Sequence, residues 1–187
     1  MSFQTWQEVI VSGSVDGPTL TAASAASCIP TPSRIILPNN YFYVGRMIKV
    51  SLHGRISCAV TTPGTARFDV RMGPSGTIVV FDTGALNLNI VAKTTVPWWL
   101  EVWLTCRAVG SGTATNFMGV GCLQSEAVVG SPLPSVGGNG ALLCPVGTPA
   151  VGTGFDNTAA NALDVFFTQT VATGSLTVQQ YRVEAMN

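Results

Sequence analysis

The alternation in residues 65–72 constrains the fold more than any other feature of this chain. Phe68, Val70 and Met72 alternate with Arg67, Asp69 and Arg71. Successive side chains of a β-strand face opposite sides, so this pattern predicts a strand with one buried and one outward face. Thr62, Pro63 and Gly64 precede it and Gly73, Pro74, Ser75 and Gly76 follow it, both with the residue types that form tight turns.

The same period recurs along the chain. Val44, Ile48, Val50 and Leu52 share a parity, and Ile56, Cys58 and Val60 continue it after Gly54. Residues 77–82 are rich in β-branched side chains, and Leu86, Leu88 and Ile90 alternate with Asn87 and Asn89. Leu100, Val102, Leu104, Cys106 and Ala108 point one way, with Glu101, Trp103, Thr105 and Arg107 on the other side. Residues 113–122 return as a hairpin partner, and residues 162–171 and 176–185 flank the loop Ala172-Thr173-Gly174-Ser175. No segment combines helical spacing of apolar residues with a cap and sufficient length. Short strands at about ten-residue spacing, joined by long crossings, predict an all-β, antiparallel β-sandwich of jelly-roll type in one domain, 1–187. Two segments depart from the pattern. Residues 1–33 read as a strand or arm followed by an Ala/Ser/Thr/Pro-rich crossing (19–33), and residues 130–156 as a long Gly/Pro-rich loop. Leu133, Leu142, Leu143, Val146 and Val151 argue that this loop packs on the domain or on a neighbouring subunit.

Composition narrows the function classes. Of the 187 residues, 47% are hydrophobic and only 10% are charged, with nine basic residues balancing nine acidic ones. A typical soluble domain carries roughly 25% charged residues. The apolar content excludes a disordered chain, and the scattered, compensated Lys and Arg argue against a nucleic-acid partner. Little electrostatic repulsion opposes association, which favours an assembly component. No window approaches the roughly 20 apolar residues of a membrane-spanning helix, so no membrane partner is expected. Residues 1–8 show neither the basic nor the apolar region of an export signal, and synthesis in a host cytoplasm is the expectation. Five cysteines at unrelated spacings, with no Cys-x-x-Cys, read as buried or semi-buried free thiols.

No catalytic, cofactor-binding or metal-ligating constellation stands out. A Ser/His/acid or Cys/His arrangement would need His53, the single histidine, which has outward strand parity and no nucleophile motif beside it. Asp69, Asp82, Glu101, Asp156, Asp164 and Glu184 could supply a carboxylate pair, but most read as solubilising charges on outward strand faces. Gly110, Ser111 and Gly112 lie between two strands and read as a turn, not a phosphate loop. The expectation is a protein without enzymatic activity or cofactor. Aromatic residues are more informative. Trp98, Trp99 and Trp103 surround a strand start, and Trp103 faces away from the core parity, as a protein-interface anchor, a sugar platform or part of a strand buried on both sides. Tyr41, Phe42 and Tyr43 pose the same choice against a well-packed loop.

Several of these segments together resemble a group of small tailed-phage virion proteins. Gly45 to Val50, then His53 to Ser57, resemble their opening, and Pro63-Gly64-Thr65 before Phe68 to Gly73 matches their next feature. Pro97-Trp98-Trp99-Leu100-Glu101 then leads into Leu104 to Arg107, with Gly110 to Thr113 as the turn. The resemblance spans about residues 44–121 and is one of strands and turns. It implies a jelly-roll capsid decoration or cement protein at the capsid surface of the virion. Its partners would be the major capsid protein and further copies of itself, as a homotrimer. A glycan- or receptor-binding tail or head-fibre module is the alternative, and a jelly-roll major coat protein the third. Contact-forming residues are expected at Phe3, Trp6, Val9, Ile10, Trp103, Leu133, Leu142 and Leu143.

Overall fold

A computed structural model describes residues 7–59, 62–129 and 141–186. Two antiparallel sheets enclose one hydrophobic core. The first contains β1 (Gln7–Ser12), β12 (Ser175–Met186), β4 (Met47–Cys58), β8 (Lys93–Ala108), β9 (Asn116–Ser125) and β10 (Ala141–Cys144), in that spatial order. The second runs β2 (Ala26–Ser27), β11 (Asn161–Gln169), β5 (Thr65–Met72) and β6 (Ile78–Asp82), with β3 (Ile35–Leu37) also on β11 and β7 (Leu86–Asn87) also on β5. Pairing is nested: β1 with β12, β2 and β3 with β11, β4 with β8, β5 with β6. A chain folded back on itself in nested pairs, shared between two sheets, is the jelly roll. Strands β9 and β10 are an addition that widens the first sheet.

The alternating residues form the core as their parity requires. Phe68, Val70 and Met72 of β5 and Leu163, Val165 and Phe167 of β11 face Ile48, Val50 and Leu52 of β4 and Leu100, Val102 and Leu104 of β8. All are buried, and burial of each such side chain contributes about 1.5–3 kcal/mol before entropy is counted.

Several expectations change. Residues 47–58 form one continuous strand, with Gly54 in its middle. Val44 precedes it in a turn around Gly45, at φ +94°, and is exposed. The strand expected over 86–92 stops at Asn87, and Ile90 is exposed. Asn89 ends it: its Oδ1 accepts from Val91 N at 2.9 Å and its Nδ2 donates to the Glu126 carbonyl at 3.1 Å. Strand β8 begins at Lys93, ahead of the expected start at Leu100, and tolerates Pro97 because the β9 ladder begins only at Trp98. The arm is the edge strand β1, and the 19–33 crossing passes from Leu20, bridged to Leu176, to β2 in the other sheet. Within the Gly/Pro-rich segment, 141–144 is a strand, and Val151 and Phe155 bridge to Met118 and Thr115.

The charges also depart from the simple outward reading. Asp69, Asp164 and Glu184 are only 2–4% exposed. Asp69 pairs with Arg71, while Asp164 accepts from Ser27 Oγ at 2.6 Å and pairs with Arg34 Nε at 3.1 Å. Glu184 accepts from Gln7 Nε2 and lies 3.1 Å from Arg182 Nε. These carboxylates are built into the sheets, not spread over the surface.

Candidate functional site

The outer face of the first sheet gathers the aromatic and exposed apolar side chains that strand parity turns away from the core. Register arranges them in rows across the strands. One row runs Gln180, His53, Trp99, Gln124; the next runs Ser12, Arg182, Ser51, Glu101, Cys122, Leu143; a third runs Val9, Glu184, Lys49, Trp103, Val120.

Two surfaces result. Towards β9 and β10, Leu143 is 82% exposed, Val120 47% and Val151 50%, beside the half-buried Trp103. Lys49 Nζ stands 5.5 Å from the Trp103 ring centroid and pairs with Glu101 at 2.9 Å. The second surface is a groove. His53 and Trp99 lie nearly parallel (8°) with centroids 5.8 Å apart. On one side of the pair a hollow of about 820 Å³ is lined by Arg55, Pro97, Gln124, Glu126, Gln179 and Gln180. On the other, a hollow of about 380 Å³ is lined by Ser12, Ser51, Glu101, Gln180 and Arg182. The backbone of β12 is bulged at Gln179, between Val178 and Gln180, so two consecutive glutamines are exposed at the rim.

Electrostatically the groove is quiet. Glu126 pairs with Lys93 at 3.0 Å, Glu101 with Lys49, and Arg182 with Glu184. Partial burial, then the Arg182 charge, holds His53 below the usual imidazole range. Arg55 has no ion pair among the described residues. Trp98 lines the floor, and its indole N–H is buried without an acceptor among the described residues.

No family model matches the chain, and no curated protein matches it. Among solved structures, the CBM2 module of the evolved Dit of Lactobacillus casei BL23 phage J-1 is similar at 14% identity with a TM-score of 0.30. That match covers 83% of this chain and 68% of that one. At this score the likeness carries no argument about fold or function.

The structure separates the residues expected to form contacts. Val9 and Leu143 are exposed on the outer face, and Trp103 is half-buried there. Ile10 and Leu142 turn inward and pack against the core. Phe3, Trp6 and Leu133 lie outside the described residues. Of the aromatic trio 41–43, Phe42 is core, edge-on to Phe117 at 4.9 Å, and Arg46 covers the Tyr41 ring at 3.8 Å, so this stretch is largely a packed loop. Trp99 stands out in sequence only as one of the tryptophans at a strand start, and its neighbours His53, Gln124 and Gln180 do not, because their proximity depends on register across four strands.

Among the described residues no three His, Cys, Asp or Glu side chains converge to hold a metal ion, and no helix is long and apolar enough to cross a membrane. All five cysteines are free; four are buried and Cys122 is half-buried. Burial pushes the Cys144 thiol up to about 12 and Cys28 higher still, which opposes the thiolate a nucleophile needs.

Proposed function

We propose that this chain is a structural protein of a tailed-phage virion that binds the outside of the capsid at subunit junctions and stabilises the shell. The observation that carries the reading is the exposed apolar strip Leu143, Val120 and Val151 beside Trp103, on the widened sheet, next to charges already neutralised within the chain. Such a role needs complementary surface and no chemistry. A six-stranded face is about 24 Å wide and, over ten residues, about 33 Å tall, or about 800 Å². At about 32 Å² of sheet face per outward residue, the strip and Trp103 cover about 130 Å², well short of the roughly 800 Å² per partner of a standard interface. Attachment through this strip therefore requires several copies acting together, and a homotrimer supplies that through effective concentration.

The test is to add the purified protein to shells lacking it and measure occupancy and heat resistance. Occupied junctions and raised heat resistance are expected, with Leu143→Glu lowering affinity at least tenfold. Imaging of the native particle that places the chain only on the tail, or nowhere, overturns the reading. A receptor- or glycan-binding module is the second reading, favoured by one feature, the groove at His53 and Trp99.

A further inference from the structure

We propose that the two hollows meeting at the His53–Trp99 pair form a binding site for an uncharged oligosaccharide laid across the strands. The proposal deepens the second reading above and does not depend on shell attachment: the strip lies to one side of the groove, where Leu143 stands opposite Cys122, two residues along β9 from Gln124, and Val120 four residues along.

Three observations carry it. The first is shape. The row Gln180, His53, Trp99, Gln124 crosses three inter-strand gaps, about 14 Å. The hollows it divides, about 820 and 380 Å³, share His53, Trp99 and Gln180. An open trough with an aromatic pair in its middle suits an extended ligand more than a compact one.

The second is chemistry. A pyranose has an apolar C–H face and an equatorial rim of hydroxyls. Trp99 and His53 supply aromatic surface for the first. Gln124, Gln179 and Gln180 supply amides, each able to donate and accept at once, as vicinal hydroxyls require.

The third is what the site lacks. Its carboxylates and Arg182 are neutralised by partners in the chain, and among the described residues Arg55 is left without an ion pair, too little positive charge for a phosphate backbone. A peptide that binds by strand addition needs a free sheet edge. The groove lies across β12, β4, β8 and β9, whose backbone groups are committed to each other. Recognition is left to side chains.

The experiment is an array of neutral and acidic oligosaccharides, followed by calorimetric titration of the tightest neutral binder. At least one neutral glycan is expected to bind. Trp99→Ala should weaken it about tenfold or more, and the exposed-residue variants Gln124→Ala and Gln180→Ala about fivefold each. Val120→Glu, on the strip but four residues along β9 from Gln124, should leave it unchanged, which separates this site from shell attachment. Absence of any neutral binder, binding confined to acidic glycans, or unaltered affinity in Gln124→Ala and in a folded Trp99→Ala overturns the proposal.

Discussion

Gly54 sits at the middle of β4, between the groove residues His53 and Arg55, and replacing it with alanine tests how the groove is built. A Cβ at this position would stand against the Thr177 carbonyl oxygen of β12, far inside van der Waals contact, and 3.0 Å from Trp98 Nε1. The missing side chain therefore lets β12 approach closely and gives the Trp98 indole its place over the strand. Overpacking costs about 1–3 kcal/mol. Here a paired backbone must yield, not the end of a flexible side chain, so the upper part of that range applies, about 3 kcal/mol. For a domain of this size each kcal/mol moves Tm by about 2–4 °C, which gives a fall of about 6–12 °C. Gly45→Ala is the comparison: Gly45 has φ +94° and nothing within 4 Å of an added Cβ, so it carries conformational strain alone, about 1–2 kcal/mol. Urea melts of both variants, fitted with a common m-value, give the difference directly. If Gly54→Ala loses no more stability than Gly45→Ala, the close approach of β12 is not what glycine provides, and the account of the groove floor fails.

Phe117, fully buried between Phe42 and Phe155, should cost about 3–5 kcal/mol when replaced by alanine, read by chemical denaturation. A thiol-specific disulfide reagent should label at most Cys122 in the native protein and all five cysteines in denaturant; rapid native labelling of Cys28 or Cys144 would contradict their burial. Burial holds the Asp164 carboxyl above its ordinary value of 3.8, so ionising it costs stability that is lost as pH rises through its folded range. Arg34→Met should raise that range further, so the gap to the unmodified protein opens with rising pH and closes below about pH 4; a gap constant from acid to neutral pH would refute the assignment of Arg34 to Asp164.

Most of the fold was legible because period-two alternation survives wherever one face of a strand is buried. Residues 65–72 became β5 with the expected side chains inward, and the 162–171 and 176–185 segments became β11 and β12. Misreadings occurred where a tertiary partner overrides the local pattern. Asn89 diverts residues 88–91 by bonding its own neighbour and the Glu126 carbonyl, a contact between segments 37 residues apart. Asp69 and Asp164 have outward parity, yet they are covered because Ser27, Arg34 and Arg71 converge on them. The groove was the least legible part. Its residues come from four strands, and only a register that includes the bulge at Gln179 brings them together.

The two outer faces divide the work of a chain with few charges. On the second sheet Arg34, Arg67 and Arg71 are spent on Asp164, Asp82 and Asp69, with Arg71 also 3.7 Å over the Phe166 ring, so charge there fastens the segment before β3 to β11, and β5 to β6 and β11. On the first sheet the pairs Lys49–Glu101 and Arg182–Glu184 lie among aromatic and amide side chains, leaving little net field over the strip or the groove. Six of the nine basic residues are thus neutralised locally, pair by pair. Binding at either surface has to rely on shape, apolar contact and neutral hydrogen bonds, which salt screens weakly. Affinity for shells or for a neutral glycan should therefore stay within about twofold from low salt to about 1 M. A steep fall with ionic strength would mean that an unneutralised patch on the partner, meeting a charge such as Arg55, dominates the contact.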